Sequence, residues 1–109
     1  MTLQSNAFTA QTAPTKGDLV FTYTNGAGTA VVGTNITAEY SADNGSTWTD
    51  CAVGAGDTQG TTGGHTILTA HDVDISGQPA GTSMRWKVTT HNQSGSKTTR
   101  IQAVSLGWS

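Results

Sequence analysis

The segment TSMRWKVTTHN, residues 82–92, decides the fold class, because its side chains alternate between apolar and polar along the chain. Met84, Trp86 and Val88 share one parity, and charged residues such as Arg85 take the other. A period of two residues indicates a β-strand with one buried face and one solvated face. The segment therefore predicts a strand whose Met84, Trp86 and Val88 side chains face the core.

Strand-like patterns also occur on either side of this segment. Alternation is clear in DLVFTYT (18–24) and NITAEYS (35–41), and strand-forming residues recur over 65–76. Shorter strands are predicted at 30–33, as an edge strand, and at 47–53. The segment 54–64 is rich in Gly and Thr and has little to pack, so it predicts a mobile exposed loop.

Turn signals separate these segments every 8–12 residues, and no segment has a helical period. The pattern predicts an all-β, antiparallel β-sandwich of about seven or eight strands. The stretch DVDISGQPAGTSMRWKVTTHNQSGS resembles the end of an immunoglobulin-like or fibronectin type III-like domain, which implies a sandwich of that kind. Residues 1–17 are interpreted as an N-terminal arm or first edge strand. Residues 18–109 are then a single β-sandwich domain.

The last predicted strand, KTTRIQAVSLGWS (97–109), changes face midway. Ile101 lies on one parity, whereas Val104, Leu106 and Trp108 lie on the other. A β-bulge would restore the alternation by adding one residue to the strand, and burial of both faces at a subunit contact would also account for it.

Composition excludes several classes of function. The chain has only 5 Lys and Arg and a net charge of −2, so it has no basic stripe for nucleic acid. It has no apolar run near the roughly 20 residues of a membrane helix, and its N-terminus does not resemble a signal peptide. Synthesis in a cytoplasm is therefore expected. With one cysteine, no intrachain disulfide forms, and Cys51 is interpreted as a small buried hydrophobe.

The segment SADNGSTW contains the pattern known as an Asp box in sialidases and related proteins. It is formed by Ser41, Asp43, Gly45, Thr47 and Trp48. The pattern occurs once, and 109 residues are too few for a propeller with blades of about 40–50 residues. We interpret it as a structural hairpin in which Asp43 caps the turn, Gly45 takes an open dihedral and Trp48 covers the turn.

Metal and catalytic signals are weak. Asp72 and Asp74 would share one strand face, which makes them weak candidates for Ca²⁺, an ion that requires six to eight oxygens. No cofactor is expected. Catalytic candidates, none with a recognisable nucleophile signature, are His65, His71, His91, Asp50, Asp57, Asp72 and Asp74. The chain is predicted not to be an enzyme.

Three tryptophans leave carbohydrate binding open, because indole rings stack on sugars. Alternation places Trp86 in the core. Trp108, second from the end of the sequence, is the tryptophan expected at a surface or an interface. Trp48 is assigned to the hairpin.

Two long phrases, TAPTKGDLVFTYTNGAGTAVVGTNITAEYSADNGSTWTD and DVDISGQPAGTSMRWKVTTHNQSGSKTTRIQAVSLGW, resemble small immunoglobulin-like domains in virion proteins of tailed bacteriophages. The resemblance implies a virion structural protein, either a capsid decoration (cement) protein or a domain of a tail fibre that recognises host glycans. A chain complete from Met1 to Ser109 favours decoration.

The resemblance also implies partners. They are the major capsid protein or other virion proteins, and further copies of the chain, commonly as trimers. Apolar residues without an obvious partner within the domain mark the expected interface: Phe8, Ile101, Val104, Leu106 and Trp108.

Overall fold

The computed structural model describes the backbone of residues 1–109 and every side chain except that of Ala55. It confirms an all-β sandwich of two antiparallel sheets. A 3₁₀ turn covers Ala55–Asp57, and no described helix has the length and apolar character needed to cross a membrane. The nine strands are β1 (Thr2–Gln4), β2 (Phe8–Thr9), β3 (Lys16–Asn25), β4 (Ile36–Ser41), β5 (Thr49–Asp50), β6 (Thr58–Thr62), β7 (His65–Asp74), β8 (Ser83–Thr90) and β9 (Thr99–Trp108).

The first sheet has the order β1–β8–β4–β5, with β2 also paired to β8, and the second has the order β6–β7–β3–β9. In a constant-type immunoglobulin domain, the first strand joins the sheet of the second strand, and the last joins that of the penultimate strand. Here the first and last strands exchange sheets. The N-terminal arm occupies the edge of β8, so β9 crosses over and pairs with β3.

The core forms where the inward parities of the two sheets meet. Leu19, Phe21 and Tyr23 of β3 are buried together with residues of β4, β7 and β8, as the alternation predicts. Met84 and Val88 are fully buried, whereas Trp86 packs against the core but stays partly exposed. Ser5, between β1 and β2, bonds to both the carbonyl oxygen and the N–H of Trp86, and the Trp86 side chain lines a groove at the surface.

The last strand contains a β-bulge, the first of the two explanations for its change of face. Thr22 of β3 pairs with Ala103 and the next residue, Tyr23, pairs with Ile101, so β9 holds one extra residue. Gln102 and Ala103 are both exposed, whereas Ile101 and Val104 on either side of them pack against the core. The bulge thus returns Val104, Leu106 and Trp108 to the inward parity.

Three of the segment predictions differ from the structure. Residues 58–62 of the predicted loop form β6, which pairs with β7 through a turn at Gly63 and Gly64, both with positive φ. Every residue of β6 is exposed, so burial left no alternation to detect. The predicted edge strand at 30–33 is reduced to one bridge at Val32, and the strand predicted at 47–53 to the two residues of β5.

Tyr40 connects the two sheets where β3 begins and β9 ends. Its side chain is fully buried, and its hydroxyl donates a hydrogen bond of 2.6 Å to the carbonyl oxygen of Gly107 on β9. The ring lies against Gly17 of β3, where a Cβ atom would stand 2.6 Å from a ring carbon. Desolvation by burial, reinforced by the negative charge of Asp18, raises the pKa of the phenol far above its ordinary value.

We expect Tyr40→Phe to lower the free energy of unfolding by about 1 kcal/mol at pH 7, because one buried hydrogen bond is lost. A raised pKa in the folded state means that the neutral phenol stabilises the fold fully below about pH 9. This contribution declines as the pH rises past the unfolded pKa of about 10. The stability of the wild type should therefore fall more between pH 8 and 10.5 than that of Tyr40→Phe.

Urea unfolding at the two pH values measures both effects. Tyr23→Phe is the control, since Tyr23 is also buried but, among the described residues, its hydroxyl makes no hydrogen bond to β9. Equal alkaline losses in the wild type and Tyr40→Phe would show that Tyr40 does not link the sheets as described.

Candidate functional site

The side of the sandwich between the N-terminal arm and β9 carries an open apolar groove. We call its five apolar residues, Phe8, Trp86, Val104, Leu106 and Trp108, the apolar seam; with Ser105 they line a cavity of about 260 Å³. The first sheet ends here in the short strand β2, and the second ends in β9. The groove exists because no further strand closes the gap between these two edges.

The exposed part of the seam is aromatic. Phe8 is 48% exposed and Trp108 is 36% exposed, whereas Trp86, Val104 and Leu106 are partly buried against the core. No residue that lines the groove carries a charge. Exposed aromatic side chains around a shallow apolar groove are typical of surfaces that bind a protein or stack against a sugar ring.

The structure brings four of the five predicted interface residues to this groove. Phe8, Val104, Leu106 and Trp108 line it, although Phe8 comes from the opposite end of the chain. Ile101 lies further back along β9, where it packs against the main core instead. Trp86 was assigned to the core alone; it also lines the groove, and the position of a groove between two sheet edges cannot be read from alternation.

The Asp-box residues form a tight hydrogen-bonded turn between β4 and β5. Asp43 Oδ1 accepts hydrogen bonds from the Thr47 N–H (2.7 Å) and the Ser41 hydroxyl (2.8 Å), and Ser41 Oγ accepts one from the Gly45 N–H (2.9 Å). Gly45 has a φ of 87°, and a Cβ there would stand 3.4 Å from the Trp48 ring. All five residues therefore have contacts that shape the turn.

The contacts around Trp48 leave little of its ring accessible to a ligand. The ammonium group of Lys87 lies 4.3 Å from the centre of the Trp48 ring, at a distance typical of a cation–π contact. Beside it, the Arg85 guanidinium joins Asn44 of the turn to the carbonyl of Ser5 in the N-terminal arm. Trp108 is thus the tryptophan that presents most of its ring to solvent.

The two weak metal candidates do not act together. Asp74 accepts hydrogen bonds from the N–H and hydroxyl of Ser76, which lower the pKa of the Asp74 carboxyl. Asp72 has a φ of 52° at an irregularity between β3 and β7, and this turns it away from the regular strand face.

Asp72 instead joins a cluster with Asp18 and His71. His71 Nδ1 lies 2.7 Å from Asp18 Oδ1, and His71 Nε2 lies 3.4 Å from Asp72 Oδ2. Each residue could offer one metal ligand atom, and these atoms lie within 4.8 Å of one another. The Asp72 N–H also bonds to Asp18 Oδ1. The cluster therefore holds the irregular part of β7 against β3.

The other histidines are separate from it. His91 Nε2 lies 2.8 Å from the Thr37 hydroxyl, and His65 Nδ1 is buried with no hydrogen-bond partner among the described residues. The remaining carboxylates of the catalytic set, Asp50 and Asp57, each accept a nearby backbone N–H. The candidate catalytic residues therefore do not converge on one cleft.

Cys51 is partly buried against the core, and its N–H bonds to the Ala38 carbonyl. Desolvation by burial raises the pKa of the thiol to about 12, and the nearby carboxylates of Asp50 and Glu39 act in the same direction. A thiol with so high a pKa is almost wholly protonated at neutral pH and is a poor nucleophile.

Comparison with known proteins adds no relative. The chain matches no family model, and no curated protein or solved structure is similar to it at a significant level.

We expect Asp43→Ala to lower the free energy of unfolding by about 1–2 kcal/mol, because hydrogen bonds to a charged carboxylate are lost. Partial desolvation acts to raise the pKa of Asp43, but hydrogen bonds from Thr47 and Ser41 outweigh it and hold that pKa below its usual value. The ionised carboxylate thus stabilises the fold above about pH 4, and this contribution is lost as the pH falls through the folded pKa.

Thermal unfolding at pH 7 and pH 3 measures the effect: the wild type should lose more stability than Asp43→Ala. Gly45→Val should also destabilise the fold, whereas Gly54→Val is a matched control at a glycine with ordinary φ and open space around it. Equal stability of the two valine variants would refute the role assigned to Gly45.

The thiol of Cys51 should react slowly in the native protein. At pH 8 we expect alkylation to be roughly 100-fold or more slower than in urea, since the thiolate fraction falls with the raised pKa. The loss of free thiol over time gives both rates. Similar rates in the two states would contradict the burial described for Cys51.

Proposed function

We propose that this protein is a non-enzymatic structural component of a tailed-bacteriophage virion. In this proposal it is a decoration or cement protein that docks on the lattice of the major capsid protein and stabilises it. The observation that carries the proposal is the apolar seam. An uncharged groove flanked by the exposed rings of Phe8 and Trp108 suits association with another protein surface.

The other residue clusters described above have contacts that stabilise the fold. The hydrogen bonds of the Asp box, the Asp18–His71–Asp72 cluster and the Tyr40 hydroxyl are all made within the fold. The resemblance of the two long sequence phrases to virion domains supplies the location, the particle, and the partner, the major capsid protein.

The mechanism is addition of buried surface between neighbouring capsid subunits. A specific interface buries about 1,200–2,000 Å² in total, which is more than a groove of this size provides. The seam would therefore form the apolar centre of a contact whose polar rim comes from the Thr-rich faces around it. Many copies on one lattice add their small contributions, so a modest affinity per copy is enough to stabilise the particle.

A second candidate, a tail-fibre or carbohydrate-binding domain for host glycans, is favoured by one feature of the seam. Phe8 and Trp108 are exposed aromatic rings beside a cavity of about 260 Å³, which has room for part of a sugar chain. Stacking on such rings is a common way to hold a sugar, and Ser105 at the groove adds a hydroxyl.

The two candidates predict different binding partners. Recombinant protein should co-sediment with capsids that lack it and raise their melting temperature, and Phe8→Ser with Trp108→Ser should abolish both effects. Val31→Ser is the matched control, because Val31 is 56% exposed but does not line the groove. Purified phage particles without any copy of this chain would refute both viral roles. Binding to a glycan array without binding to capsids would favour the second candidate.

A further inference from the structure

Strand β9 has a free edge that the fold does not protect. It pairs with β3 along one side, from Thr99 to Trp108, and among the described residues its other side has no strand partner. A free edge exposes a row of unpaired backbone N–H and C=O groups, which are a template for another strand. Proteins usually shorten, charge or interrupt such edges.

The other edges of the two sheets are protected in these ways. β5 has two residues, and the N-terminal edge is divided into β1 and β2. β6 is irregular between Thr58 and Gly60, and all its residues are exposed and none has an apolar side chain. In contrast, β9 is ten residues long, lacks proline and carries a single charged residue, Arg100.

We propose that β9 pairs antiparallel with β9 of a second copy of this chain, about a two-fold axis at Val104. If the bulge residues Gln102 and Ala103 count as one position, this register places each inward-facing residue opposite an inward-facing residue. Each outward-facing residue likewise lies opposite an outward-facing one. Val104 lies opposite its own counterpart, and Ile101 lies opposite Leu106. These side chains all face inward in the single chain, so pairing extends the core face of the sheet across both copies.

The same register is complementary in charge. It places Arg100 opposite Gly107, and both lie on the outward face of the sheet. Asp18 lies directly beyond Gly107: its Oδ2 atom is 4.0 Å from the position of a Gly107 Cβ. Since Asp18 Oδ1 already accepts bonds from His71 and Asp72, Oδ2 is the oxygen that faces the incoming strand.

Because Gly107 has no side chain, it does not separate Arg100 of one copy from Asp18 of the other. The guanidinium of Arg100 in one copy can extend over the missing side chain of Gly107 and reach Asp18 Oδ2 in the other. The symmetry axis repeats this pair, so two ion pairs flank Val104. In the single chain, among the described residues, Arg100 forms no salt bridge.

In this dimer, the first partner of the apolar seam is a second copy of the chain. It rests on the part of the proposed function that treats the seam as a contact surface, but not on the virion assignment. It also predicts a two-fold pair instead of the three-fold cluster that the family resemblance implies. The paired second sheets form a continuous eight-stranded sheet.

Sedimentation equilibrium of the full chain tests the pairing. We expect twice the chain mass of 11.2 kDa at micromolar concentration. Arg100→Glu and Gly107→Val should each weaken dimerisation at least tenfold, the first by reversing the charge and the second by blocking the path to Asp18. Gly107 has an ordinary φ and no close contact at its Cβ position, so the valine variant should fold. Thr61→Glu on the β6 edge is the control and should remain dimeric.

Cross-linking tests the register independently. In a Cys51→Ser background, Val104→Cys places two thiols opposite each other across the axis, where facing Cβ atoms are about 4.5–5.5 Å apart. Mild oxidation should give a disulfide-linked dimer, whereas Thr61→Cys, on the opposite edge of the same sheet, should not.

A monomer or a trimer at all concentrations would overturn the inference, as would a dimer in which Thr61→Cys cross-links as well as Val104→Cys. Capsid binding by a strictly monomeric protein would overturn the pairing alone. A Val104-linked dimer missing from purified particles would instead overturn the virion assignment.

Discussion

The hydrogen bond from the Tyr40 hydroxyl to Gly107 joins the two sheets at the point where the chain departs from the immunoglobulin arrangement. The last strand leaves the sheet of β8, so no backbone pairing ties it to the strand before it in sequence. A phenol from β4 reaches across the core to it instead, and the absence of a side chain at Gly17 gives the ring its space. The bond thus ties β9, which is positioned by its pairing with β3, to the opposite sheet beside the groove.

Alternation of apolar and polar residues predicted most of the sandwich, because this alternation reflects which side chains are buried. The core positions of β3, β4 and β8 and the bulge in β9 are all visible as parity in the sequence. Strand β6 was missed because all five of its residues face solvent, and backbone pairing alone leaves no hydrophobic pattern. The predicted strand at 30–33 failed for the opposite reason: Val31 and Val32 suggest a strand, but Val31 is exposed and only Val32 forms a bridge.

The candidate sites differ in how far apart in the sequence their contacting residues lie. The Asp-box contacts join residues at most four apart, so their local geometry follows from residue type. The contact between Asp18 and Asp72 spans 54 residues and depends on an irregular register between β3 and β7, which no local pattern reports. Four of the groove residues were named from their lack of an obvious partner, but their convergence with Trp86 depends on which strands form the sheet edges.

The bulge in β9 also bears on how the sequence can change over evolution. Deleting one residue from a strand normally transfers every later side chain to the other face. Loss of either Gln102 or Ala103 would instead convert the bulge into a regular strand and leave Val104 and Leu106 facing inward. A lineage could therefore gain or lose one residue at this position while keeping the same inward surface. Single-residue insertions and deletions among descendants of this chain should therefore concentrate at Gln102 and Ala103.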